Sequence, residues 1–328
     1  MRRRDFMIGL MIGAAPGPTW AQQPEKRRLA ILHPAIPAAL ITEDSFWRGF
    51  FADLRRRGYI EGENLIIDRY SAEGHHERYP ELAAEIVTSH PDVIVTVSTR
   101  VLIALKAATD TIPIVANMLE DPVKAGLVTS LARPGNLTGV SRDAGVEVWG
   151  KRVQILREAI PSASTVAFLG FRELWEGPAG QVLRDASRQL GISLVGMLLP
   201  GGTPAEIERV FAEMAARRPD AVLITGEGDQ YAHRQQIVEL AEKTRLPALY
   251  ATGDYVERGG LMGYVADDAE ARNRLVDDVY QIFNGAKVGD IPIYQTTKFD
   301  FVINLKTAKA LGLTIPPTVL ALADEVIE

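Results

Sequence analysis

The chain has no cysteine among its 328 residues, so disulfides, thiolate chemistry and a lipid-modified cysteine anchor are all excluded. Histidine is scarce, with five in all, and its one adjacent pair, His75-His76, lacks the i, i+4 spacing that turns two imidazoles toward one metal. The phosphate-cradling G-x-x-x-x-G-K-[ST], the G-x-S-x-G nucleophile elbow and the H-E-x-x-H zinc motif are missing. Gly226-Glu227-Gly228 lacks the third glycine of a dinucleotide fingerprint. Carboxylates are plentiful, but no spacing among them selects a general acid and base. The expectation is therefore a protein with no catalytic residue, no cofactor and no metal. Clustered positive charge is also missing: the net charge is −6, and Arg55-Arg56-Arg57 reads as the solvated end of a helix stopped by Gly58. That argues against nucleic acid as a partner. No apolar stretch reaches the ~20 residues that span a bilayer.

The N-terminus does carry a pattern of its own. Arg3-Arg4-Asp5-Phe6-Met7 precedes an apolar, glycine-containing stretch from Phe6 to Ala15, and Thr19-Trp20-Ala21 supplies a small-residue cleavage site before Gln22. The pattern predicts a signal peptide over 1–21 and a mature protein in the periplasm. Twin arginines followed by Phe6 favour the folded-protein export route, while Arg2 in place of Ser or Thr keeps the general secretory route open.

Beyond the leader, apolar strand-like runs alternate with helical stretches, the pattern of parallel sheets covered by helices on both faces. The first set is 29–32, 65–69, 93–97 and 114–116, with helices near 44–57, 78–89 and 99–109. Phe46, Trp47, Phe50, Phe51 and Leu54 recur at helical spacing and read as a core stripe. After a glycine-rich crossover around Gly135-Asn136-Leu137-Thr138-Gly139 comes a second set at 165–169, 193–198, 221–225, 248–250 and 261–263. Pro178 marks one helix start, and Thr203-Pro204 with Glu206 marks another as a capping box. A helix near 269–284, a strand near 293–303 and a short helix at 306–311 follow. The length exceeds one comfortable core. The fold class is α/β: two Rossmann-like lobes with parallel sheets joined by three hinge crossovers, near 138–143, 264–268 and 296–302. The expected division is 27–140 plus 266–295 for one lobe and 141–265 plus 296–328 for the other.

In open α/β sheets ligands gather at the carboxyl ends of strands, where loops meet helix N-termini. That rule selects His33, Ser98, Thr99 and Asn117 in the first lobe, and Asp229, Tyr231, Asp254 and Tyr255 in the second. Ser98 and Thr99 precede a helix and suit either a cap or a bound carboxylate. Asp229 and Asp254 suit a ligand ammonium or a turn, while Tyr231, Tyr255, Phe171 and Trp175 suit an aromatic ring. Asp121 before Pro122 reads as a helix cap, Tyr264 as a hinge or cleft residue, and His75-His76-Glu77 as a solvated loop.

Several blocks resemble one known family: Glu61-Gly62-Glu63-Asn64-Leu65; Asp121-Pro122-Val123 with Gly126-Leu127-Val128; Leu131-Ala132-Arg133-Pro134-Gly135-Asn136-Leu137-Thr138-Gly139; Gly259-Gly260-Leu261-Met262; Thr297-Lys298-Phe299 with Val302-Ile303-Asn304-Leu305-Lys306-Thr307-Ala308; and Ala323-Asp324-Glu325-Val326-Ile327. Together they are similar to ABC transporter substrate-binding proteins, including tryptophan and aromatic amino-acid binders, over nearly all of 27–328. The resemblance implies a type I periplasmic binding protein: a monomer that closes on a small-molecule ligand, an amino acid or aromatic carboxylate, and delivers it to an ABC transporter permease in the inner membrane. A sensor feeding a signalling receptor, and an enzyme on the same scaffold, stand as alternatives. The loops 170–175 and 225–231 match no ligand motif.

Overall fold

The computed structural model describes residues 26–119, 121–142 and 146–328. The leader pattern and Glu120 lie outside them, as does part of the first expected crossover.

The chain builds β1 (Arg27–His33), β2 (Leu65–Ser71), β3 (Val93–Thr96), β4 (Ile114–Met118) and β5 (Leu137–Ser141) into one sheet. It then builds β6 (Thr165–Phe171), β7 (Ser193–Leu199), β8 (Ala221–Ile224), β9 (Ala248–Tyr250) and β10 (Met262–Ala266) into a second. Strand β11 (Tyr294–Gln295) returns to the first sheet, and β12 (Phe299–Asn304) and β13 (Glu325–Ile327) finish the second. The strand orders are β11-β5-β4-β3-β1-β2 and β13-β12-β10-β9-β8-β6-β7. Every pairing is parallel except β10 with β12. The result is two α/β lobes in series, joined where the chain leaves β5, β10 and β11.

Burial on both faces explains the unbroken apolar runs. Leu29, Ala30, Ile31 and Leu32 of β1 are all fully buried because helices cover both sides of the sheet. On one side Ser45–Arg56 packs against Asp268–Phe283, burying Trp47, Phe50 and Leu54, with Phe46 and Phe51 half-buried beside them. The expected aromatic stripe is thus largely core. That helix starts at Asp44, whose carboxylate accepts the Phe46 and Trp47 amide N–H groups, and it stops at Arg57 with Gly58 at φ 89°. In the second lobe the helix Pro204–Arg217 opens with a capping box: the Thr203 hydroxyl accepts from Glu206 N, and the Glu206 carboxylate accepts from Thr203 N.

Three features differ from expectation. The glycine-rich stretch near 135–139 is a turn leading into a buried central strand, β5, because the Asn136 amide donates to the Thr109 and Ile112 carbonyls and seats the strand beside β4. The single strand near 293–303 is two strands in different sheets, β11 and β12, separated by Thr296–Lys298. Asp121 caps a turn rather than a helix, accepting from Val123 N and Lys124 N.

Candidate functional site

A cavity of about 310 Å³ lies between the lobes at the carboxyl ends of their strands. That is the lower end of small-molecule pocket volumes, enough for one amino-acid-sized molecule.

From the first lobe, His33 leaves β1 with its ring 6.2 Å from that of Trp47, edge to face. Its Nδ1 accepts the backbone N–H groups of Ala35 and Ile36 at 3.1 and 2.8 Å, so the neutral ring carries its proton on Nε2. Burial, reinforced by the nearby Arg234 charge, pushes the His33 pKa down to about 3. The ring is therefore a neutral N–H donor at any physiological pH. Asn117 comes from β4, buried, with its Oδ1 lacking a hydrogen-bond partner among the described residues. Phe46, Trp47 and Val97 supply apolar wall.

From the second lobe, Gly226 follows β8 so closely against Thr252 that a Cβ there would sit 2.2 Å from the threonine methyl. Thr252 is buried with its hydroxyl unpartnered among the described residues. Tyr231 donates its hydroxyl to Asp254, and Arg234 lies 4.1 Å over the Tyr231 ring. The same guanidinium reaches Asp254 at 3.4 Å and crosses the cleft to Asp44 at 3.1 Å. Burial pushes the Tyr231 hydroxyl pKa well above the usual range, so it stays a donor.

At the end nearest the crossovers the lining is ionic. Arg142 pairs with Asp268 and donates to the Ala266 carbonyl at 3.2 Å, while Arg272 is held by Asp53 at 3.2 Å. The Glu257 carboxylate makes no hydrogen bond or salt bridge among the described residues. Burial raises the pKa of both Glu257 and Asp268, and the Asp254 charge adds to each shift. Four carboxylates (Asp44, Asp254, Glu257 and Asp268) thus line a cavity whose lining cations are Arg142 and Arg272. Arg142 is committed to Asp268, Arg272 to Asp53, and Arg234 to Asp44 and Asp254, which leaves Glu257 as the lining carboxylate with no ionic partner among the described residues.

The structure places His33, Asn117, Tyr231 and Asp254 together on this cavity and Ser98, Thr99, Asp229 and Tyr255 away from its lining. Ser98 spends its hydroxyl on Val101 N, capping the helix Thr99–Ala108, and Thr99 is buried at that helix start. The Asp229 carboxylate is taken by Arg100 and Tyr79 from the first lobe, which leaves no ammonium site there. Tyr255 is fully buried, its ring stacked 4.8 Å from Tyr250 in the second-lobe core. Phe171 lies beneath Arg100, Trp175 packs on Phe168, and Tyr264 stacks on Phe299 at the β10–β12 pair. His75 is exposed and His76 half-buried, and among the described residues no three His, Asp or Glu side chains converge as a metal site. Sequence reasoning missed Arg142, Glu257, Asp268 and Arg272, and took Trp47 as core alone.

Residues 38–327 match the family of ABC transporter substrate binding proteins. The tyrosine-binding protein of Clostridioides difficile (strain R20291) is 24% identical over 272 residues, covering 82% of this chain and 77% of the relative. The crystal structure of a conserved domain protein from Vibrio cholerae O1 biovar El Tor superposes with a TM-score of 0.80 at 27% identity, over 92% of this chain and all of the other. The ABC domain from Streptococcus pneumonia in complex with L-Trp gives 0.78 at 23% identity, over 92% and 100%. The fold shared with these structures is that of the type I periplasmic binding proteins.

Proposed function

Because the chain belongs to the ABC transporter substrate-binding protein family, we propose that it is the extracytoplasmic receptor of an importer for an amino acid with an aromatic or large apolar side chain. It works in the periplasm as a monomer and hands its ligand to an inner-membrane permease. It acts by binding alone. The lobes divide at 27–140 plus 266–295 and 141–265 plus 296–328, and they close about the three crossovers when ligand contacts both.

The observation that carries this reading is the polarity of the cavity. The first-lobe wall offers a neutral donor, the His33 Nε2–H, beside the Asn117 side chain and the rings of Phe46 and Trp47. The opposite side offers an acceptor, the Glu257 carboxylate, flanked by the paired carboxylates of Asp254 and Asp268. A zwitterion satisfies both, with its carboxylate toward the His33 Nε2–H, its ammonium toward the acidic side, and its side chain against Trp47 and Tyr231. The ligands named for the tyrosine-binding relative and the L-Trp complex are of that class.

Calorimetry on protein stripped of ligand by unfolding and refolding tests it, with L-tryptophan, L-tyrosine and L-phenylalanine as probes beside tryptamine and indole-3-propionate. The amino acids should bind more tightly than either half-molecule. Glu257→Gln should weaken the amino acids and tryptamine by about 10- to 150-fold, the ~1.5–3 kcal/mol of a charge-assisted hydrogen bond, and leave indole-3-propionate unaffected. No heat with any aromatic amino acid would sink the ligand assignment.

A further inference from the structure

A second set of lobe-to-lobe contacts lies apart from the ligand cavity. Arg100, in the first turn of the helix Thr99–Ala108, reaches Asp229 of the second lobe at 2.8 Å. Tyr79, opening the helix Tyr79–Thr88, donates its hydroxyl to the same carboxylate. Arg100 also donates to the Pro200 carbonyl at 3.3 Å, lies 4.7 Å over the Phe171 ring and stands 3.9 Å from Glu173, all second-lobe partners. The pair is dry: the Asp229 side chain is 1% exposed and that of Arg100 is 14% exposed. Beside it, Gly201 approaches His76 so closely that a Cβ would sit 2.7 Å from Nδ1. None of Arg100, Asp229 and Tyr79 lines the cavity.

Local forces do not explain this arrangement. A cation in the first turn of a helix opposes the helix dipole, so Arg100 is unfavourably placed for its own helix. Its partners are all across the cleft. When the lobes part, Arg100 and Asp229 regain water; when they meet, each replaces water for the other, and removing either leaves a desolvated charge alone.

We propose that Arg100, Asp229 and Tyr79 form a closing latch that holds the lobes together without touching ligand, and so sets the open–closed balance that every ligand inherits. The proposal rests on the hinge-closure reading above but not on the identity of the ligand. Apparent affinity is the intrinsic affinity scaled by the closure equilibrium. Weakening the latch therefore lowers affinity by one factor for all ligands, whereas losing a ligand contact changes their ranking.

The absence of cysteine makes the test clean. Spin labels on Glu85→Cys and Arg209→Cys, one exposed site in each lobe, report the inter-lobe distance by pulsed electron resonance in ligand-free protein. The parent should show a short-distance population. Asp229→Asn and Arg100→Gln should each cut it about tenfold, the double variant should cut it no further, and Tyr79→Phe should cut it less. Circular dichroism melts of the variants establish that they fold. With L-tryptophan, L-tyrosine and L-phenylalanine as probes, Asp229→Asn should lower affinity by a common factor. A ligand-free parent with no short-distance population, or variants with unchanged distances, would overturn the latch. So would an affinity loss confined to one probe, which would make Asp229 a ligand contact. The distances decide the matter even if none of the three amino acids binds.

Discussion

In the first lobe the cleft wall stands on packed rings. Trp47, 1% exposed, meets Phe46 and Phe50 edge to face, stacks against Phe51 and braces His33. In the second lobe the corresponding wall is a chain of charges and hydroxyls, Tyr231 to Asp254 to Arg234, whose members are held by each other rather than by a core. A wall made of core has its shape fixed when the lobe folds. A wall made of ion pairs is set by whatever charge faces it, including a ligand's. Substitutions in the first wall should therefore damage folding, and those in the second should damage binding.

The largest test of that contrast is Trp47→Ala. Emptying a fully buried ring site should cost about 3–5 kcal/mol in the first lobe. Calorimetry should show the first-lobe transition falling and the second-lobe transition holding; equal losses in both would erase the distinction. Next in size is Asp278→Asn, on the helix Asp268–Phe283 that packs on the first sheet. Burial, with Asp277 adding and Arg274 opposing, pushes the Asp278 pKa from 3.8 up to about 7. The folded state thus holds this proton more tightly than the unfolded state. Its contribution to stability is fully present below pH ~4 and is lost as pH rises through 7. Asn removes that dependence, so the variant should gain up to about 4 kcal/mol over the parent at pH 8 and match it near pH 4, read from denaturant melts at both pH values. The smallest is Thr203→Ala in the second lobe, which deletes half of the capping box and should cost about 1 kcal/mol without altering ligand affinity. A larger loss would mean that helix caps, not only the ionic chain, support the second wall.

The fold was legible because its signals are local. Alternating apolar runs found the strands of both sheets, and Thr203 with Glu206 announced a helix start that the structure closes with both hydrogen bonds. Strand β5 was hidden by Gly139 and by Gly135 in the turn before it, and the 293–303 run could not reveal that its two halves pair with different sheets, since pairing partners are distant in sequence. For the site, the strand-end rule located backbone correctly but said nothing of side-chain direction. His33 and Asn117 turn into the cavity, whereas Ser98 turns back to its own helix and Tyr255 turns into the core. Arg142, Glu257, Asp268 and Arg272 were illegible for a different reason: they meet only because two lobes and the chain between them come together.

The passage from β11 to β12 fixes the kind of freedom the lobes have. Thr296 is fully buried and its N–H is held by the Ser141 carbonyl of β5, and Phe299 already pairs with Ala266 of β10. Only Thr297 and Lys298 are left between two anchored ends, a tether that spans on the order of 10 Å at full stretch. Such a strap opposes sliding of the lobes while permitting a swing, so the closure proposed above would follow the motion of a door and not of a drawer. Lengthening the strap by a few glycines would add translation to that swing, and the two walls would then meet out of register.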